Sequence, residues 1–225
     1  MSAQKETSLV LRVCKPDFTS HGGFVWPSSV GASVSAPDWD DEAVCGNGLH
    51  GWLYGQGNQD CVAYHSLPGS KWLVLEVCTS DIVLLDGKCK FPKAVVRFIG
   101  DRSEAASFII ANEPRAQNVP VIGSCLVVGD SRAVQVGSLG MATAGDYGTA
   151  TAGTQGTATA GGYGTATVGY EGMATAGDYG TATAGHRGTA TAGYKGTATA
   201  GRGGTATAGD DGTATARHRG ARTAG

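Results

Sequence analysis

"DYGTATAG" runs from Asp146 to Gly153 and returns letter for letter from Asp178 to Gly185. Written in eights from Gly137, the tail falls into the frame Gly-x-x-Gly-Thr-Ala-Thr-Ala. Eleven copies follow one another, the last beginning at Arg217. A weaker copy, GDSRAVQV, begins at Gly129, and VIGSCLVV before it keeps only the apolar flavour. Self-similarity at a fixed period is the mark of a stacked repeat. A random linker does not hold register over eleven copies. Thr-Ala-Thr-Ala alternates at the period of a strand, and Gly-x-x-Gly is expected to supply the positive φ of a tight corner.

Eight residues are too few to close a coil, because a corner leaves room for only one short strand. The variable pair gives the true period. Its second residue is Tyr147, Tyr163 and Tyr179 in alternate copies, always 16 apart, while Gln155, Glu171 and Arg187 fill the intervening ones. The expected architecture is therefore an α+β head followed by a parallel β-solenoid of about six 16-residue coils, two strands per coil. At roughly 4.8 Å per rung it extends about 29 Å. Successive strand residues point to opposite faces, so either Thr or Ala faces inward. Ala positions are replaced by Leu126, Val128, Val134, Val136 and Val168, which favours Ala inward, while Met141 and Met173 at Thr positions count the other way.

Composition divides the chain as sharply as the repeat does. Residues 1–112 hold all four Trp, all five Phe and five of six Cys, and none of these occurs from Gly137 onward. The expected organisation is a globular head over 1–112, a transition and solenoid cap over 113–136, and octapeptide repeats over 137–225. A net charge of −2 gives no basic field for nucleic acid. The apolar run Leu9 to Leu11 is too short for a secretory core, and no stretch approaches a membrane span. The expectation is a cytoplasmic chain with thiol cysteines, no cofactor and no membrane or nucleic-acid partner.

The repeats resemble those of bacterial ice-nucleation proteins on AGDYGTATAG and on the basic final ARHRGARTAG. That family stacks 16-residue coils with a Thr-x-Thr motif and a once-per-coil Tyr. The resemblance implies a water-ordering surface at Thr149, Thr151, Thr165, Thr167, Thr181 and Thr183. It also implies a dimer contact at Tyr147, Tyr163 and Tyr179, and a basic cap at Arg217, Arg219 and Arg222. The head, on CGNGLHGWLYG and WLVLEV, resembles an uncharacterised domain of phage and prophage proteins that precedes such repeats. That resemblance implies a virion or host-cell setting if the chain is phage-encoded.

Within the head, SLVLRVC, GLHGWLY, KWLVLEVC, DIVLLDG and KAVVRFIG have strand patterns. RSEAASFIIAN has that of a helix capped by Asp101. Three groups of residues bear on chemistry. Cys45, His50, Cys61 and His65 offer zinc-ligand types without the paired Cys-x-x-Cys spacing. Arg12, the glycine-rich segment around His50, and Glu76 resemble the order of features in ADP-ribosyltransferases, where they flank a nicotinamide dinucleotide. Asp38, Asp40, Asp41 and Glu42 form an acidic run beside Trp39. Three functions stay open. The leading one is a rigid solenoid stalk that multimerises through the Tyr edge or the solenoid ends and presents the head. The others are an ice- or water-binding repeat and a nucleotide-acting head.

Overall fold

A computed structural model describes residues 5–61, 64–117 and 119–225. The chain divides into two units, Met1–Val121 and Ile122–Gly225.

The first unit is built on strands β1 (Thr7–Cys14), β2 (Ser33–Ser35), β3 (Leu49–Leu53), β4 (Lys71–Cys78), β5 (Val83–Leu85), β6 (Lys88–Phe91) and β7 (Lys93–Gly100), followed by helix α1 (Arg102–Asn112). The strands form one antiparallel sheet in the order β2-β7-β4-β1-β3-β6-β5. β1 is central because Val10, Leu11, Val13 and Cys14 are all fully buried, leaving no face for solvent. One face packs Val10, Leu73, Leu75 and Val96 around Trp26 and Phe91. The other receives α1, where Phe108 stacks on Phe98 at 5.1 Å. α1 starts where expected, in a capping box: Glu104 N–H donates to Asp101 Oδ1 and Asp101 N–H donates to Glu104 Oε2, both at 2.9 Å. The expected strands are present. β2 and β6 are additional, and β6 escapes a hydrophobicity pattern because its Lys90 points inward, 1% exposed, with Nζ 2.7 Å from Asp40. The acidic run is thus partly structural, since Asp38 also accepts from Gly48 N–H at 3.1 Å.

The second unit is a parallel β-solenoid. One sheet holds β8 (Cys125–Val127), β10 (Met141–Ala144), β12 (Thr157–Ala160), β14 (Met173–Ala176), β16 (Thr189–Ala192), β18 (Thr205–Ala208) and β20 (Ala221–Ala224). The other holds β9 (Ala133–Gln135), β11 (Thr149–Ala152), β13 (Thr165–Val168), β15 (Thr181–Ala184), β17 (Thr197–Ala200) and β19 (Thr213–Ala216). Register advances by 16 residues per coil, as in Thr149 opposite Thr165 and Thr165 opposite Thr181. Two rungs, β8 and β9, lie in the stretch expected as a transition.

Alanine faces inward. Ala142, Ala158 and their successors form a buried column on one sheet and Ala150, Ala166 and theirs one on the other, and Val168 enters a second column of the latter sheet between Ala152 and Ala184. Met141 and Met173 point outward, 50% and 55% exposed, so they do not disturb this arrangement.

The corners differ from expectation. Gly203 is the one glycine of the repeats with positive φ. The left-handed residue is otherwise the second variable one, including Tyr147 (φ 57°), Gln155 (55°), Tyr163 (55°), Glu171 (54°) and Tyr179 (57°). The consensus glycines are needed for a different reason, close approach. A Cβ on Gly164 would lie 2.8 Å from Ala160 Cβ and 3.0 Å from the Gly148 carbonyl of the preceding coil. The left-handed turn aims its N–H at the next coil: Tyr147 donates to Gly162 O at 2.9 Å and Tyr163 to Asp178 O at 2.8 Å. Asp side chains add a second tie, with Asp146 Oδ1 accepting from Gly162 N–H at 2.7 Å and Asp178 Oδ1 from Tyr194 N–H at 2.9 Å.

Candidate functional surfaces

Because side chains 16 residues apart stand one above another, each sequence position of the coil becomes a row on the solenoid. One corner row is aromatic. Tyr147, Tyr163 and Tyr179 stack face to face at 5.0 and 4.8 Å, and Tyr194 meets Tyr179 edge-on at 5.6 Å. The three stacked rings remain 64%, 54% and 44% exposed. The opposite corner row is polar. Glu171 accepts from Gln155 Nε2 at 3.1 Å and lies 3.5 Å from Arg187, which also donates to Tyr170 Oη at 3.1 Å. Hydrogen bonding from Gln155 first, then from Tyr170 and Arg187, holds the Glu171 carboxyl below the usual carboxylate range.

The Thr rows lie outward on both sheets, but the two faces are not equivalent. On the sheet containing β11, Thr149, Thr165, Thr181, Thr197 and Thr213 form one unbroken column. Thr151, Thr167, Thr183, Thr199 and Thr215 form a second beside it. On the other sheet the corresponding first column is interrupted, running Met141, Thr157, Met173, Thr189, Thr205 and Ala221. Rows stand roughly 4.8 Å apart and alternate residues of one strand roughly 6.6 Å apart. The unbroken face is therefore a regular lattice of paired hydroxyls and methyls, and it extends the six threonines singled out from sequence by four. The continuing 16-residue frame was the signal for those four. Arg217, Arg219 and Arg222 are all exposed in the last coil, with Arg222 in the inward column opposite Ala206.

In the head, Arg12 and His50 come together and Glu76 does not join them. Arg12 is 7% exposed, donates from Nη1 to the His50 carbonyl at 3.2 Å, and lies 5.0 Å over the Trp26 ring. It shares a sheet face with Val10 and Cys14 by strand alternation. Glu76 sits opposite Leu9 in the β1–β4 register, on the other face, and pairs with Arg97 at 2.7 Å. Burial lowers the Arg12 pKa to about 10. Burial, with the nearby Lys88 and Arg12 charges, lowers that of His50 to about 4, so His50 is neutral near pH 7.

The zinc-type residues do not assemble. Cys45 Sγ lies 3.0 Å from Lys88 Nζ, Cys61 Sγ faces the Asp86 carbonyl at 3.6 Å, and His65 turns to Ser66 and Asp60. Among the described residues no group of three or more His, Cys, Asp or Glu side chains is placed to hold a metal ion. Among them, too, no helix is long and apolar enough to cross a membrane.

Residues 8–111 match a family described as "Domain of unknown function (DUF7666)". The chain is also similar to an ice nucleation protein of Pseudomonas syringae, 36% identical over 110 residues, which is 48% of this chain and 9% of that protein. An ice nucleation protein of Xanthomonas campestris pv. translucens is 35% identical over 111 residues, 48% of this chain and 7% of its own length. The ice nucleation protein InaU of Pantoea ananas is 30% identical over 109 residues, 48% of this chain and 10% of its own. The chain thus spans about a tenth of the length of these curated relatives. No solved structure matches it. What the residues and the relatives together establish is a β-solenoid repeat protein, similar over about 48% of its length to ice nucleation proteins and matching, over residues 8–111, a family described only as a domain of unknown function.

Proposed function

We propose that the solenoid is a water-ordering, ice-binding surface, and that its active face is the unbroken Thr lattice of β11, β13, β15, β17 and β19. One observation carries this reading: ten threonines stand in two straight columns on a rigid parallel sheet, with no other residue type among them. Immobilising a water costs up to about 2 kcal/mol. A lattice whose hydroxyls are already fixed by backbone ladders offers many waters a site at once, without ordering side chains first. The similarity to proteins named for ice nucleation supports the same reading.

The test is thermal hysteresis and droplet freezing of the full chain beside Thr165→Lys/Thr181→Lys. On the other sheet Thr157 stands between Met141 and Met173, so Thr157→Lys/Thr189→Lys serves as the control. The first pair is expected to abolish activity and the second to retain most of it. A parent chain that behaves as buffer rejects the reading.

A second reading, a self-associating stalk, is favoured by the exposed Tyr row. Four aromatic side chains on one edge, with Tyr163 stacked on both sides, make a continuous apolar strip suited to a second copy. Light scattering of Tyr147→Ser/Tyr163→Ser/Tyr179→Ser against the parent decides it, and an unchanged oligomeric mass removes it. The two readings are compatible, since association along the corner leaves both Thr faces free and enlarges the ordered area.

A further inference from the structure

The head contains a cavity of about 770 Å3 that neither reading uses. Arg12, Trp26, His50, Tyr64 and Lys88 line it, together with the glycine-rich turn at Gly46 and Gly48. That volume is in the range of small-molecule sites.

Its charge is unbalanced in a specific way. Arg12 is buried, yet no carboxylate pairs with it among the described residues. Its guanidinium has only the His50 carbonyl and the face of Trp26, and its Nε has no hydrogen-bond partner. His50 Nε2, in the wall of the same cavity, is also without a hydrogen-bond partner among the described residues. A buried cation without a counter-ion is strongly unfavourable. Desolvation, the leading cause of the lowered Arg12 pKa, has the same origin. Lys88 adds a second cation to the lining, its Nζ held by Cys45 Sγ at 3.0 Å and the Cys61 carbonyl at 3.4 Å rather than by an acid. Asp38 is the acid of the lining, and its carboxylate is engaged by Gly48 N–H.

We propose that this cavity binds a phosphate-bearing small molecule of mononucleotide size, with its phosphate on Arg12 and Lys88. Two cations suit a group that carries about −1.5 to −2 charges near neutral pH, and a guanidinium matches phosphate oxygens in a fork that an ammonium cannot offer. One phosphate fills only part of the volume, and the Tyr64 and Phe24 rings on the lining offer apolar surface to a ring or sugar. The proposal concerns binding alone, and Glu76, on the other face of the sheet, takes no part in it. The inference is independent of the Thr lattice and the Tyr row.

The experiment titrates the full chain with inorganic phosphate, adenosine monophosphate and adenosine at matched ionic strength, reading thermal shift and phosphorus-31 line broadening. Adenosine monophosphate is expected to raise the melting temperature and bind at least tenfold more tightly than inorganic phosphate, with adenosine inert. Arg12→Gln and Lys88→Ala are each expected to weaken binding at least tenfold. Circular dichroism checks their folding, and if Arg12→Gln fails to fold then Lys88→Ala decides alone. Equal binding of adenosine and its phosphate, no binding of either, or full affinity in the folded variants each overturns the proposal. Inorganic phosphate binding as tightly as the nucleotide overturns the mononucleotide size.

Discussion

The ring of Tyr163 lies on that of Tyr179 at 4.8 Å and 3° from parallel, although both residues hold a left-handed backbone. A left-handed conformation costs a non-glycine residue roughly 1–2 kcal/mol, and each aromatic stack returns about 0.5–1.5 kcal/mol. The row is therefore close to break-even for the isolated chain, and conserving shape alone does not require it. Tyr163→Gly removes the strain and two stacks while adding unfolded-state freedom, and is expected to destabilise by about 1–2 kcal/mol in urea unfolding. Its neighbour behaves otherwise. Gly164→Ala places a methyl 2.8 Å from Ala160 Cβ and is expected to cost about 3 kcal/mol. The order of these two costs is the check, and its reversal would mean that φ, not contact, governs the corner.

Inside the coils, both directions of volume change are expected to destabilise. Ala166 is fully buried between Ala150 and Ala182, and Ala166→Val overpacks two sheets held apart only by methyls, costing about 1–3 kcal/mol. Val168→Ala removes two methyl groups from the second column and costs about 1–2 kcal/mol. Thermal unfolding of the two variants beside the parent measures both.

Glu113 ties the end of α1 to β1. Burial pushes its carboxyl up, but hydrogen bonds from Arg115 at 2.6 Å and Leu9 N–H at 3.2 Å outweigh this and hold it below its ordinary value of 4.5. A depressed carboxyl contributes stability that is full above 4.5 and is lost as pH falls through the lower folded value. Glu113→Gln is expected to cost about 2 kcal/mol at pH 7 and to flatten the acid limb of the stability profile.

His50 gives a second, separate pH signature. Its folded pKa of about 4 lies below the ordinary 6.5, so stability is full above 6.5 and falls as pH drops towards 4. Proton NMR is expected to show one histidine titrating near 4, and His50→Gln should remove that resonance and the loss of stability between 6.5 and 4.

The 16-residue period was legible because Tyr147, Tyr163 and Tyr179 mark every second octad, and the inward face because Val168 and Val134 replace Ala. The corner geometry was not. Glycine appears in sequence for two physical reasons, positive φ and close approach, and the letters do not distinguish them. Tyr, Gln, Glu and Arg at the turning position conceal it further, since none of them favours it intrinsically. In the head, Arg12 and His50 were visible as candidates, but their setting was not. Trp26, Tyr64 and Lys88 reach the cavity from segments distant in the chain, and no local pattern links them. Glu76 lay beyond such reasoning for a simpler cause: which face of a sheet a residue takes depends on register with its partner.

The two corner rows, one aromatic and one charged, set a rule for how this sequence tolerates changes of length. Removing or duplicating sixteen consecutive residues of the tail would leave every row aligned with itself, so an unequal recombination event of that size is structurally silent. A change of eight would keep Ala inward and Thr outward. It would splice the tyrosine row onto the Gln155–Glu171–Arg187 row and break both ladders. Coil number is thus a freely adjustable parameter in steps of sixteen codons, and the half-step is filtered out by side chains rather than by the backbone.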